Sequence, residues 1–232
     1  MSHDPADLDS WKKNWLTGQI GWHEGKGNRW LSSNINILTA GREKVKVFIP
    51  LCGKSKDIKC LADNGHDVVG VEVSPLALEQ FFEENDIPFT VNPVPECNGS
   101  LYKSTDGKIQ LYCCSIFDFN RNVAGIFDAV WDRGSMVALS PELLEKYQVL
   151  MESLMAPGCQ YIFERLDYDK SGRSGSPHIV PMETLERLFG SKCNIEVIDK
   201  WSSPKYKEIF KVDFFVIEMI RITWKSDSPN SN

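Results

Sequence analysis

Gly53 and Glu72 stand 19 residues apart in the stretch VFIPLCGKSKDIKCLADNGHDVVGVEVS, Val47 to Ser74. A glycine in a tight turn after an apolar strand lets the backbone approach a ligand closely. An acid about 20 residues further on is at the spacing where a carboxylate accepts hydrogen bonds from ribose hydroxyls. The turn carries one glycine and not the three of a dinucleotide fingerprint, so no pyrophosphate is signalled. A ligand with a ribose and no phosphate suits these residues better than NAD. The GKS at 53–55 resembles the end of a P-loop, but that motif needs a glycine five positions before Gly53, where Phe48 stands, and ATP or GTP chemistry is set aside. Taken alone, Glu72 also reads as a solvated strand terminus; its spacing from Gly53 favours the ribose reading.

In open α/β sheets ligands sit beyond the C-terminal ends of the strands. The residues at those ends are Leu51, Cys52 and Gly53 after a first strand, Glu72 at a second, Ser115, Ile116 and Asp118 after a third, and Asp132, Arg133 and Gly134 after a fourth. Arg133, in WDRGS, lies at the mouth of an apolar strand, where a salt bridge or a ligand carboxylate would satisfy its guanidinium. Cys52 reads as a packed thiol. Trp11 and Trp15 are four apart, on one face of a short helix, and Trp22 and Trp30 follow in a Gly-rich loop. Such tryptophans ordinarily pack a core or a lid. The four histidines show no metal spacing, so no metal is expected. With no GxSxG and no triad order, no residue is assigned as catalytic.

The elements that must place these residues alternate. VKVFIP is a strand stopped by Pro50; Ile58, Leu61 and Ala62 mark a helix closed by Gly65; DVVGVEV is the next strand. Ser74 and Pro75 cap a helix whose Leu78, Phe81 and Phe82 share a face. In TDGKIQLYCCS, Asp106-Gly107 is a turn leading into a strand, with Leu101 to Ser104 as the other arm of a hairpin. IFDAVWD is a fourth strand, Ser140-Pro141 opens a helix ended by Pro157-Gly158, and CQYIFERL is a strand. A polar loop from Asp169 to Pro177, a helix at METLERLFG and strands at NIEVIDKW and VDFFVIEMIRITW complete the chain. The link SSPKYKEIF is too short for a roomy helical crossover, so the last two strands should pair antiparallel. The fold class expected is α/β: a Rossmann-like sheet, mostly parallel with an antiparallel C-terminal strand, and helices on both faces.

The chain has 232 residues, 42% of them hydrophobic, a net charge of -6 and no shift in composition, which predicts a single domain over 1–232. Residues 1–30 form an N-terminal segment and 225–232 a mobile tail. An acidic balance argues against nucleic acid as a partner. Seven cysteines without a CxxC imply free thiols and a reducing compartment, and no stretch is apolar enough to span a membrane. A cytoplasmic protein with no membrane partner is expected, and a monomer by default.

Long stretches in order, WKKNWLTGQIGWHE, FIPLCGKSKDIKCLADNGHDVVGVEVS, LYCCSIFDF, FDAVWDRGSMVAL and VPMETLERLFG, closely resemble the thiopurine S-methyltransferases. The resemblance runs from about Trp11 to about Trp224. It implies S-adenosylmethionine as cofactor, leaving S-adenosylhomocysteine as product, and a small-molecule thiol as acceptor. It implies that residues 1–30 cover the cofactor, with Trp11, Trp15 and Trp22 against it and Trp22 also facing the acceptor. Leu51 and Gly53 would line the methionine end, Glu72 hold the ribose hydroxyls, Ser115 and Ile116 flank the adenine, and Arg133 contact the cofactor from beside the acceptor. Asp132 and Arg133 would then serve the acceptor, Asp132 accepting a proton or anchoring Arg133. Relative to vertebrate members, Trp22 replaces a phenylalanine, the loop SGRSGSPHIVP differs, and SSPKYKEIF offers Lys205 in place of an arginine. The alternatives are transfer to small inorganic or aliphatic thiols or halides, as in the related halide and thiol methyltransferases, an NAD-dependent oxidoreductase, and a non-catalytic nucleoside-binding protein.

Overall fold

The computed structural model describes residues 5–169 and 175–226, so positions 170–174 of the polar loop and 227–232 of the expected tail lie outside the described residues. The chain groups into two compact units, Met1–Phe127 and Asp128–Asn232. Nine strands form a mixed sheet in the order β3-β4-β5-β2-β1-β6-β7-β9-β8, the labels following the chain.

In the first unit α1 (Pro5–Thr17) precedes two short helices, α2 (Arg29–Ser33) and α3 (Ile35–Thr39). The sequence pattern does not show these two, each being a single turn or little more. Asn28 makes the first possible by accepting the Leu31 N–H with its side chain. The expected alternation follows: β1 (Lys46–Ile49), α4 (Lys56–Asp63), β2 (Asp67–Glu72) and α5 (Pro75–Glu84). Ser55 caps α4 and Ser74 caps α5, the latter followed by Pro75, whose fixed φ and missing N–H suit a first helical turn. Gly65, at φ +93°, follows Asn64, the C-cap of α4. Phe48, Leu78, Phe81 and Phe82 are wholly buried, each stabilising the core by roughly 1.5–3 kcal/mol.

Three further strands, β3 (Phe89–Val94), β4 (Gly99–Ser104) and β5 (Ile109–Cys113), are followed by α6 (Arg121–Ala124) and β6 (Phe127–Asp132). The hairpin at Asp106-Gly107 is present: the Asp106 carboxylate accepts from Ser104 Oγ at 2.6 Å and Lys108 N–H at 3.0 Å, and Gly107 takes φ +77°. β2 pairs in parallel with both β1 and β5, whereas β4 is antiparallel to β5 and β3. β3 extends this edge beyond the single hairpin expected; its mostly exposed residues and Pro93 hide it from hydrophobic patterning.

In the second unit a 3₁₀ turn at Pro141–Leu143 leads into α7 (Leu144–Leu154), then β7 (Met155–Tyr168), α8 (Met182–Phe189), β8 (Cys193–Ser202), α9 (Pro204–Phe210) and β9 (Phe215–Trp224). The helix stops three residues before Pro157, and the strand starts at Met155, because the residue before a proline favours extended backbone. β9 pairs antiparallel with β7 and β8, as the short link requires. That link is itself partly helical: Ser203 caps α9, and Tyr206 and Phe210 pack on Phe215 at 5.3 and 5.0 Å between ring centroids. A bulge interrupts β8 between Val197 and Asp199. Among the described residues no helix is long and apolar enough to cross a membrane.

Candidate functional site

In the first unit the chain leaves β1 through Pro50, and Leu51 and Gly53 both take positive φ, +43° and +51°. This left-handed backbone costs a leucine more than a glycine, so the turn is held by its surroundings. Part of that hold is the Cys52 N–H, which donates to the Val71 carbonyl at 2.8 Å. The turn bends the Gly53 N–H toward β2, where it donates to Glu72 Oε2 at 3.1 Å; the Ser74 N–H donates to Oε1 at 2.9 Å.

Glu72 is 6% exposed. Burial pushes its carboxyl up to about 7, against the pull of the Ser74, Gly53 and Val73 backbone donors. A carboxylate has room for about four hydrogen bonds, so this one retains capacity for hydroxyl donors. A phosphate in the turn would need the Gly53 N–H that Glu72 already takes, and would face the same negative charge. The residues therefore fit a ribose diol and do not fit a phosphate cradle.

Trp15, 5% exposed, covers the turn: a Cβ placed on Gly53 would lie 3.0 Å from its ring. Trp22, 40% exposed, packs edge-on against Trp11 at 5.0 Å and Trp15 at 6.2 Å between centroids. The loop after it is fastened by the Asn28 N–H, which donates to Asp57 Oδ1 at 2.7 Å. Gly27, at φ +73°, allows this approach, since a Cβ there would meet the same oxygen at 3.1 Å. Ser115 and Ile116 follow β5, 8% and 3% exposed, and Ser115 Oγ accepts the Phe117 N–H at 3.3 Å. In register with Glu72 lies Cys113, whose thiol is pushed up to about 11 by burial and next by the nearby Glu72 charge. Burial raises the Cys52 thiol too, in keeping with a packed, unreactive cysteine. The first unit thus brings together Trp15, Gly53 and Glu72 as one cluster and Trp11, Trp15 and Trp22 as another.

In the second unit Asp132 and Arg133 leave the end of β6. The Asp132 carboxylate is fully buried and accepts from Tyr147 and Tyr161 hydroxyls at 2.7 Å each, and from the Ser135 and Met136 N–H groups at 3.2 Å. Burial raises its pKa despite these donors. Arg133 turns instead to Glu164 on β7, its Nε lying 3.4 Å from Oε1. The salt bridge foreseen as one way to satisfy the guanidinium is formed. Sequence reasoning did not find Tyr147, Tyr161 or Glu164: they stand far from WDRGS in the chain, in core-like aromatic or charged contexts without a motif. Among the described residues no group of three or more His, Cys, Asp or Glu side chains is placed to hold a metal.

Solved structures with related folds include the 1,6-didemethyltoxoflavin-N1-methyltransferase of Burkholderia thailandensis, with bound 1,6-didemethyltoxoflavin and S-adenosylhomocysteine. It matches at TM-score 0.63 and 16% identity over 93% of this chain and 87% of that one. A SAM-dependent methyltransferase of Thiobacillus denitrificans in complex with S-adenosyl-L-homocysteine matches at TM-score 0.57 and 9% identity, covering 91% and 97%. In sequence the chain is 41% identical over 194 residues to the thiopurine S-methyltransferase of Canis lupus familiaris, covering 83% of this chain and 79% of that protein. It is 37% identical over 220 residues to that of Rattus norvegicus, covering 94% and 92%. The family model for thiopurine S-methyltransferase matches residues 6–217, and the chain belongs to that family.

Proposed function

We propose that this chain is an S-adenosylmethionine-dependent S-methyltransferase acting on aromatic or heterocyclic thiols of the thiopurine type. The observation that carries the reading is the buried Glu72 carboxylate taking the Gly53 N–H: it leaves an acceptor for a ribose diol and withholds the turn from phosphate. Family membership supports the same cofactor and the same acceptor class.

When bound, the cofactor supplies a methyl group on a sulfonium, an excellent leaving group for in-line displacement. The chain then needs no nucleophile of its own; it aligns two sulfur atoms and keeps water out. In this reading Glu72 orients the ribose, Leu51 and Gly53 line the methionine end, and Ser115 and Ile116 flank the adenine. Residues 1–30 cover the cofactor through Trp11, Trp15 and Trp22, whose aromatic faces attract a cation with about 0.5–2 kcal/mol, a gain in binding more than in rate. An aromatic thiol is acidic enough to react without a strong general base. Arg133 serves the acceptor, and Asp132, already saturated by its donors, fixes the backbone from which Arg133 projects.

The whole chain works as a single methyltransferase domain in this reading. The free thiols of its seven cysteines support a cytoplasmic setting, and the net charge of -6 gives no support to a nucleic-acid partner; a monomer is the simplest assembly.

The test is detection of the methylated product by mass spectrometry with S-adenosylmethionine and 6-mercaptopurine, thiophenol, bisulfide or iodide. Methylation of the aromatic thiols and not of iodide is expected. Turnover of bisulfide or iodide alone would replace the acceptor class, and tight S-adenosylhomocysteine binding without any product would leave the cofactor site standing and point to an acceptor outside this panel or a lost activity.

A further inference from the structure

The charges around Arg133 are matched in a particular way. Asp132, the adjacent acid, is satisfied by two tyrosine hydroxyls and two backbone N–H groups. Arg165, next to Glu164 on β7, gives its guanidinium to Glu218 and its Nε–H to the Val180 carbonyl, and Lys200 adds a second cation to Glu218 at 2.7 Å. Glu164 on β7 meets Arg133, the two side chains being 10% and 19% exposed. Little water reaches the pair, so its charges are screened weakly and act strongly on each other and on any nearby ligand.

We infer that Glu164 is a specificity-determining residue for the acceptor, acting by position through Arg133. By offsetting the guanidinium charge it turns the acceptor side toward thiols that carry no second anionic group. Held at its edge by a carboxylate, a guanidinium can still offer its flat face to an aromatic ring. An acceptor bearing a carboxylate would have to displace Glu164 or sit beside a like charge, which costs affinity. The inference rests on the assignment of Arg133 to the acceptor made above.

The experiment compares 4-methylthiophenol with 4-mercaptobenzoate, which present similar aromatic thiols and differ in one carboxylate. The quantity read is the ratio of their KM values, with S-adenosylhomocysteine affinity measured alongside by calorimetry. Glu164→Gln is expected to shift the ratio toward 4-mercaptobenzoate by about tenfold, a change of about 1.4 kcal/mol. Arg133→Gln, which removes the cation facing Glu164, is expected to shift it the other way, and it decides the matter if the Glu164 variant does not fold. A ratio unmoved in a folded variant, with both thiols still methylated, overturns the inference and leaves the proposed function standing. So does an altered S-adenosylhomocysteine affinity with an unmoved ratio, which would assign Glu164 to the cofactor. Failure of the unmodified protein to methylate either thiol overturns both.

Discussion

Gly53 donates its backbone N–H to the side chain of Glu72 across 19 residues of chain, at 3.1 Å, closing the exit of the first strand onto the end of the second. Removing the carboxylate leaves this donor and that of Ser74 without their partner, at about 1–3 kcal/mol each. Glu72→Ala is therefore expected to lower the melting temperature and to weaken S-adenosylhomocysteine binding by at least about tenfold. Calorimetric titration checks this, and an unchanged affinity would count directly against the ribose assignment.

The same carboxyl titrates near 7 where an ordinary one titrates near 4.5. As pH rises through that interval an unfolded chain gives up the proton while the folded chain keeps it. Folding stability due to this group is thus fully present below about 4.5 and falls by on the order of 3 kcal/mol as pH passes 7. Ribose hydroxyls favour the ionised form, so cofactor binding should release a proton and weaken by up to about tenfold per unit below pH 7. Titrations in buffers of different ionisation enthalpy measure the released proton, and Glu72→Gln should abolish the release.

A methyl group at Gly53 would meet Trp15 at 3.0 Å on a backbone of φ +51°. Gly53→Ala is expected to destabilise by about 1–2 kcal/mol. Pairing it with Trp15→Phe, a smaller ring, should recover part of that loss in a double-mutant cycle, read by thermal or urea unfolding. Strict additivity would mean that the ring and the turn do not press on each other.

Asp132→Ala strands two tyrosine hydroxyls and two backbone donors, and should cost at least about 3 kcal/mol of stability. Tyr147→Phe removes one donor and should cost about 1 kcal/mol. An Asp132→Asn protein that melts normally but has lost methyl transfer would instead make this carboxylate a participant in the chemistry.

The parts of the site that lie close together in the chain were legible in its sequence. The turn, the acid at its ribose spacing and the capped helix after Ser74 are written in glycine, proline and serine, whose backbone effects are local. The antiparallel ending followed from link length, although α9 within the link did not, because seven residues with an exposed apolar side chain such as Ile209 give a weak helical stripe. The partners of Asp132 and Arg133 were not legible. Tyr147, Tyr161 and Glu164 reach them only through tertiary packing, and in sequence two of them pass for ordinary core aromatics. β3 was missed for a related reason, since an outer strand with Pro93 in it carries little apolar alternation.

That proline and the bulge in β8 have a joint effect on how the molecule meets other chains. β3 and β8 are the two outermost strands of the sheet. A free edge normally offers a row of unpaired amide and carbonyl groups to any passing strand. On β3 the row is broken at Pro93, which has no amide hydrogen, and on β8 it is broken between Val197 and Asp199, beside the charges of Asp199 and Lys200. Both borders of the sheet are poor templates for amyloid-like addition, so crowding and prolonged storage should select against strand-to-strand stacking as a route to aggregation.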